Sequence, residues 1–384
     1  MAGEDLTSSL LAAPPLAPLN GKALSIEALL SLGERIEDRT WKDGLPNFFW
    51  GEGVCLLGMI RLAEAAERPF PQRVRDWTDR QGVNDLQPDH VNHLAPGIAA
   101  IMDGRPSSLE LADRLMTWLQ SSGVVTRAVN GAIEHWPEGV WADTVFMGGL
   151  FLGHLGAARH DAELVSELGR QWLAHAEILQ DEETGMMVHG SHLGRAVRSF
   201  WGRANAWMAL SGVEYLELAE RFPTLSEQKL VDAVRARLSR QLQALAACQP
   251  DHGVWSVLVD DQPENAGILE TSAAAGLGAA MLRAERVLPG LPDAVCAAGW
   301  KAVAGALAYV DEGGALTRVS AGTVLQLVPF GYSVIRNDRP QLWGQGLALH
   351  AIAAAVTSIR HGAASSGTLP IDATATYRDG IRPR

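Results

Sequence analysis

Cysteine is sparse. The chain of 384 residues has three, Cys55, Cys248 and Cys296. They stand far apart in Ala/Leu-rich surroundings, with no spacing that suits a metal or a disulfide framework. They read as buried free thiols, which fits a reducing compartment. Positive charge is also short: 32 Lys and Arg against 44 Asp and Glu leave a net charge of −12. Nucleic acid and anionic membranes require a basic footprint, so neither is a predicted partner. By our reading no window of about 18 apolar residues runs without charge, and no membrane span is predicted. The first residues carry Glu4 and Asp5 and are broken by Pro14 and Pro15, unlike a secretion signal. The default expectation is a cytoplasmic protein. Several catalytic signatures are missing: no G-x-S-x-G, no phosphate-binding Walker loop, no H-E-x-x-H, and no G-x-G-x-x-G after a strand.

Scarcity of Tyr, Phe and Ile beside plentiful Ala, Leu and Glu favours helix over sheet. Apolar periodicity and Pro/Gly breaks predict twelve helices, near 24–38, 51–67, 70–80, 92–102, 108–121, 142–157, 161–180, 201–221, 226–247, 270–287, 292–310 and 342–360. The loops after alternate helices resemble one another. Gly131, Gly185, Gly253 and Gly314 recur roughly every 60 residues, each followed by a short alternating stretch, and Gly82 begins a weaker copy. Each such glycine suits a turn with positive φ. Repeated helix pairs build either an open solenoid with a concave protein-binding face or a closed ring. Twelve helices make six pairs, which favours an all-α (α/α)6 barrel with short β-like segments in the loops. The loop residues favour closure too, since His135, Trp136, Trp141, Asp143, His189, His192, Trp255 and Arg318 would gather in one cup. The predicted domain is residues 23–362, between a flexible tail at 1–22 and a second tail at 363–384.

What the chain has in excess is tryptophan, 12 against 4 Tyr, much of it near loop–helix junctions. Indoles there suit stacking on sugar faces, although they also fill cores. The stretch W-P-E-G-V-W-A-D-T-V-F-M-G-G-L-F-L-G-H-L (136–155) puts Trp141 and Asp143 at the mouth of a helix. Asp143 is either an N-cap or a catalytic acid/base tuned by aromatic walls. Asp89 has the same two readings. If both aspartates converge in a closed ring, mutual repulsion raises one pKa against the helix dipole. Arg203 and Trp207 lie one turn apart on a predicted helix, able to hold a carboxylate and pack a sugar, or simply to cover one another at a surface. His189 and His192 in H-G-S-H read as hydrogen-bonding side chains in preference to a metal pair.

The motifs W-A-D-T-V-F-M-G-G-L-F-L (141–152), F-W-G-R-A-N-A-W-M-A-L (200–210), G-V-W-S-V-L-V-D (253–260), L-E-T-S-A-A-A (269–275) and L-W-G-Q-G-L-A-L (342–349) occur in order. Together they resemble the unsaturated glycuronyl hydrolases, in particular glycoside hydrolase family 105, the unsaturated rhamnogalacturonyl hydrolases, with family 88 as a relative. The resemblance implies an (α/α)6 barrel and assigns the catalytic role to Asp143. It places Asp89, His135, His189, Arg203 and Trp207 around the substrate, with Trp141, Met147 and Trp50 as further lining residues. Trp50 stands where the family often has tyrosine. The implied reaction hydrates the vinyl ether of a 4,5-unsaturated uronic acid at the non-reducing end of a lyase-generated oligosaccharide. Protonated Asp143 donates to C4, and the ionised form then deprotonates the attacking water. The implied partner is that small oligosaccharide, and no metal or organic cofactor is called for. The alternatives are another sugar enzyme on the same barrel, such as an epimerase or ordinary glycosidase, or a non-enzymatic helical-repeat binding protein.

Overall fold

A computed structural model describes residues 14–83 and 86–366. Its twelve long helices are α1 (Ile26–Asp43), α2 (Trp50–Ala65), α3 (Gln72–Val83), α4 (Leu94–Asp103), α5 (Pro106–Ser121), α6 (Leu150–Arg159), α7 (Ala162–Leu179), α8 (Gly202–Arg221), α9 (Gln228–Ala247), α10 (Thr271–Val287), α11 (Asp293–Leu307) and α12 (Leu342–Ser366). Two strands, β1 (Gly190–His192) and β2 (Arg195–Val197), form one antiparallel hairpin.

Composition sorts the helices into two rings. The even-numbered helices carry few charges and are buried nearly all round, as in α2, where Gly51 through Ile60 are all buried. The odd-numbered helices bury one stripe only, such as Leu29, Leu32, Gly33, Ile36 and Thr40 on α1. The inner ring closes: α2 packs on α4, α4 on α6, α6 on α8, α8 on α10, α10 on α12, and α12 returns to α2. Closure excludes the open solenoid. The last seam is set by glycine. A Cβ on Gly58 would stand 2.5 Å from the Gly346 carbonyl oxygen, and one on Gly346 would stand 2.5 Å from that of Val54. Bare backbones let α2 and α12 approach this closely. Residues Leu342–Gly362 of α12 are long and apolar enough to cross a membrane by length and composition, contrary to the sequence expectation, but 78% of that window is buried in the barrel. Its composition is that of an inner-ring helix.

The four repeated glycines do what their spacing predicts. Gly131, Gly185, Gly253 and Gly314 have φ of 86°, 84°, 84° and 83°. Three of these turns close a small antiparallel bridge, Arg127 to Ile133, Gln180 to Met187 and Val310 to Leu316. These are the β-like segments of the sequence reading. Gly82 is different: it lies inside α3, so the weaker copy is no turn.

Residues 1–13 and 367–384 lie outside the described residues, and most of both predicted tails falls there. The part of the first tail that is described is not loose. Leu16 N–H donates to the Tyr309 hydroxyl (2.8 Å) and Leu19 N–H to the Ala304 carbonyl (3.0 Å). At the other end, α12 continues past residue 362 to Ser366.

Chain direction positions the site. Links from an inner to the next outer helix are short, like Gly104–Arg105 and His160–Asp161. Links from an outer to the next inner helix, the first (residues 44–49) excepted, are longer, and they meet at the barrel end where the inner helices begin. The positive ends of the inner helix dipoles therefore face one cup. At the opposite end Arg61 on α2, Glu214 and Glu217 on α8, and Arg283 on α10 form a buried ion-pair network. His154 of α6 adds a contact to Glu214 (3.0 Å).

Candidate active site

The cup is built where two long loops pair. Between α5 and α6 the chain runs Val140-Trp141-Ala142-Asp143. Between α7 and α8 it runs His189-Gly190-Ser191. Ala142 N–H donates to the His189 carbonyl (3.0 Å) and Ser191 N–H to the Val140 carbonyl (2.8 Å). The Ser191 hydroxyl accepts from Val140 N–H (3.0 Å). These backbone bonds fix the distance between the two side chains that matter most.

Asp143 starts the helical run that becomes a π turn, Val145–Gly149, before α6. Extra-residue turns of this kind re-aim side chains and are frequent at functional sites. The carboxylate is not spent on capping: Oδ2 has no hydrogen-bond partner. It faces His189 Nε2 at 3.5 Å, with 14% of the Asp143 side chain exposed and none of His189. Oδ2 is therefore free for the acid/base chemistry that is the other reading of Asp143.

An aromatic and imidazole wall surrounds the pair. His135 stacks on Trp141, centroids 4.4 Å apart and planes within 11°, and its Nδ1 meets the Thr144 hydroxyl at 3.1 Å. Trp141 meets His189 edge-on at 5.2 Å, and Trp201 lies 4.2 Å from the His189 ring. His90 bridges His135 and the half-exposed Trp136 at 4.7 and 4.3 Å. Trp50 stacks on Trp343 at 4.3 Å. The Tyr332 hydroxyl lies 2.7 Å from His189 Nδ1.

Electrostatics departs from the sequence expectation. Burial pushes the Asp143 carboxyl up, but it is outweighed by the facing His189 Nε2, by Arg203, and by His189 and His135 at the acid pH where those rings are protonated, and the pKa lies below the ordinary value. Asp143 is ionised at rest. The raised value expected from a second carboxylate does not arise, and Asp89 is not among the groups that shift Asp143. The Asp89 side chain is 85% exposed and lies 3.6 Å from His93 Nδ1. Burial drives His135 down to about 3 and also lowers His90 and His189, so the wall is neutral at pH 7.

Arg203 is placed near Asp143 but presents no free fork. It is fully buried and paired with the equally buried Glu270 at 3.1 Å. Its terminal nitrogens also donate to the Ser320 hydroxyl (2.8 Å), the Ser320 carbonyl (3.2 Å) and the Ala321 carbonyl (3.0 Å). Glu270 in turn accepts from Ser320 N–H (3.1 Å) and from the Ser320 hydroxyl. The guanidinium lies over Trp201 (4.3 Å) and Trp343 (5.5 Å), so the stacking predicted with Trp207 goes to other indoles. Trp207 is fully buried against Phe146 (4.6 Å) and Met147 is 1% exposed, so both belong to the core beneath the cup. His189 and His192 diverge, one buried and one exposed.

The structure thus brings together Asp143, His135, His189, Trp141 and Arg203. It adds His90, Trp201, Glu270, Ser320, Tyr332 and Trp343, to which sequence reasoning gave no role. Trp201 and Glu270 sit inside the recognised motifs and were open to notice. Nothing local marks Tyr332, whose partner is 143 residues away.

Three comparisons bear on this geometry. The family model described as Glycosyl Hydrolase Family 88 matches residues 32–359. The unsaturated rhamnogalacturonyl hydrolase YesR of Bacillus subtilis (strain 168) is 30% identical over 340 residues, 84% of this chain and 93% of that protein. A solved structure of a possible member of GH105 family from Salmonella enterica serovar Paratyphi A superposes with a TM-score of 0.78 at 23% identity, covering 90% of this chain and 97% of that one. A second, from Klebsiella pneumoniae, gives 0.73 at 24% identity, covering 93% and 99%. At these identities the two structures speak for the fold.

Proposed function

The chain belongs to glycosyl hydrolase family 88, and from that premise we propose that it removes a 4,5-unsaturated uronic acid from the non-reducing end of short, lyase-generated oligosaccharides. The observation that carries the reading is Asp143: a shielded carboxylate with an unpartnered oxygen, fixed opposite His189 and walled by indole and neutral imidazole. Such a group can give and retake one proton without a second carboxylate. Hydration of the vinyl ether needs no more. Asp143 protonates C4, the C5 oxocarbenium is captured by water, and Asp143 accepts the proton that the water loses. The hemiketal at C5 then opens and releases the remaining sugar. The rule that relates the separation of two carboxylates to stereochemistry has no application to this route.

Asp143 is ionised at rest and must be protonated to begin. The uronate supplies the cause. A second carboxylate brought beside Asp143 opposes its ionisation and raises its pKa toward neutrality. The field of the inner helix N-termini, together with buried Arg203, offsets the negative charge of the chain as the anion enters. Trp141 and the Trp50–Trp343 stack offer flat faces to the sugar rings.

The test is ultraviolet absorbance, because hydration destroys the conjugated double bond. The protein is incubated with lyase-treated rhamnogalacturonan, glycosaminoglycan, ulvan and gellan fragments. Loss of absorbance with one of them supports the reading and names its sugar. No loss with any would overturn it.

A further inference from the structure

We propose that Tyr332 is a positioning residue for this hydrolysis, holding His189 in the tautomer that carries its proton on Nε2, toward Asp143. The inference rests on the reading of Asp143 as the proton-transferring group. A neutral imidazole has one N–H and one bare nitrogen, and the partner of either nitrogen decides which is which. The phenol oxygen of Tyr332 lies 2.7 Å from His189 Nδ1. That oxygen already accepts from Gln326 N–H at 3.4 Å, which leaves its own proton to point at the ring. Burial pushes the phenol well above its ordinary range, so it keeps that proton. Burial also holds His189 below its ordinary value, so the ring is neutral. A protonated phenol facing a neutral ring donates to Nδ1, and the ring proton is left on Nε2.

The other side of the ring agrees. Nε2 and Asp143 Oδ2 face each other at 3.5 Å, both buried and both without a partner at hydrogen-bond geometry. With the proton on Nε2 this is a donor aimed at a carboxylate. With the proton on Nδ1 it would be two lone pairs opposed across a dry gap, an arrangement that burial makes costly. Packing alone does not account for Tyr332. Its ring lies 5.8 Å from His189 and 6.5 Å from Trp201, contacts that phenylalanine would make equally well. Its setting also singles it out. Tyr332 sits on a one-turn helix, Phe330–Ser333, and is the one buried residue among the described residues 321–340. Its neighbours Val328, Phe330 and Val334 are exposed. A stretch that is otherwise exposed or half-buried buries one side chain fully, and the hydroxyl of that side chain ends on His189.

The tautomer is read directly by nitrogen-15 NMR of histidine-labelled resting protein, with His189 assigned by loss of its signals in His189→Gln. The expected spectrum shows a bare Nδ1 and a protonated Nε2. In Tyr332→Phe the Nδ1 signal should move toward the protonated form. A second readout is the alkaline limb of kcat/KM on the unsaturated substrate. His189, His135 and Arg203 face Asp143, while Asp143, Arg203 and Tyr332 face His189. Losing the fixed Nε2 donor relieves one of the influences that hold Asp143 down, so the limb should move up by about one pH unit. The melting temperature of Tyr332→Phe reports any general damage. Protonated Nδ1 in the resting wild type overturns the inference, as does a variant with unchanged tautomer and unchanged limb. Because the NMR measurement uses no substrate, absence of turnover would strike the proposed function and leave the tautomer to be judged separately.

Discussion

Replacing Arg203 by methionine should unfold the protein more readily, before any question of substrate arises. Arg203 and Glu270 are both fully buried, 3.1 Å apart. At an effective dielectric near 20 their attraction is about 5 kcal/mol. Much of that is consumed in taking both ions out of water, so the pair as a whole contributes little. Removing one member is another matter. Glu270 would be left buried with Ser320 and Ser272 as partners and no counter-charge, and the Ser320 and Ala321 carbonyls would lose their donor. We expect Arg203→Met to cost roughly 3–5 kcal/mol, the range for breaking one side of a buried pair. Arg203→Met with Glu270→Leu should recover a large part of that loss, because no orphan ion remains. The assay is urea unfolding of wild type, both single variants and the double variant, with the coupling taken from the cycle. A single variant within 0.5 kcal/mol of wild type would refute the argument, as would additive losses. The sequence alone pointed to Arg203 as a side chain that could hold a carboxylate. The structure predicts that loss of stability comes first, because the fork of Arg203 is committed to the α8–α10 junction and residues 320–321.

Asp143→Asn should leave the melting temperature within a few degrees, since Oδ2 caps nothing, and should lower kcat by at least about 10²–10⁴-fold, the usual worth of an acid/base group; a variant that turns over normally would remove Asp143 from the chemistry. Acid should destabilise the fold early. Burial holds His135 and His154 at about 3 and His175 at about 4. As pH falls below about 6.5 the unfolded chain takes up protons that the folded one refuses, so stability drops by up to about 1.4 kcal/mol per unit for each histidine. Urea midpoints measured from pH 7.5 to 5 should therefore decline, and a flat profile would contradict the burial of these rings. Gly346→Ala should cost roughly 1–3 kcal/mol by forcing α12 away from Val54, and an unchanged melting temperature would show that the seam is looser than its 2.5 Å approach implies.

The fold was largely legible because its signals are local. Inner helices such as α2 and α12 announce themselves by a run of apolar and small residues, outer helices such as α1 by a stripe, and the four turn glycines by their place after alternate helices. Closure was an inference from number, and it held because six inner helices come full circle at Gly58 and Gly346. The site was legible only where one loop carries several of its members, as Trp141 and Asp143 do. Spacing of four residues along α8 suggested that Arg203 would meet Trp207. The preference of the guanidinium was instead decided across the barrel, by Trp201, Trp343 and Glu270. Asp89 fails for a related reason. It precedes an inner helix, as Asp143 does, but the chain turns at His90, whose ring enters the wall while the Asp89 carboxylate is left 85% exposed beside His93.

That difference changes how the acid is made. Two facing aspartates would keep a proton ready before substrate arrives. A lone aspartate faced by His189, His135 and Arg203 is held ionised, and the neutral rings around it have no acidic proton to lend near pH 7. On the proposed function, the proton would therefore come from solvent as the uronate enters. Bringing a second negative charge into a shielded cup is unfavourable while Asp143 is ionised and favourable once it is neutral, so binding and protonation become one event. An uncharged analogue of the sugar would bind without that uptake and leave Asp143 unable to donate. Selection for an anionic substrate would then reside in the protonation state of the catalytic group as well as in any contact to the carboxylate.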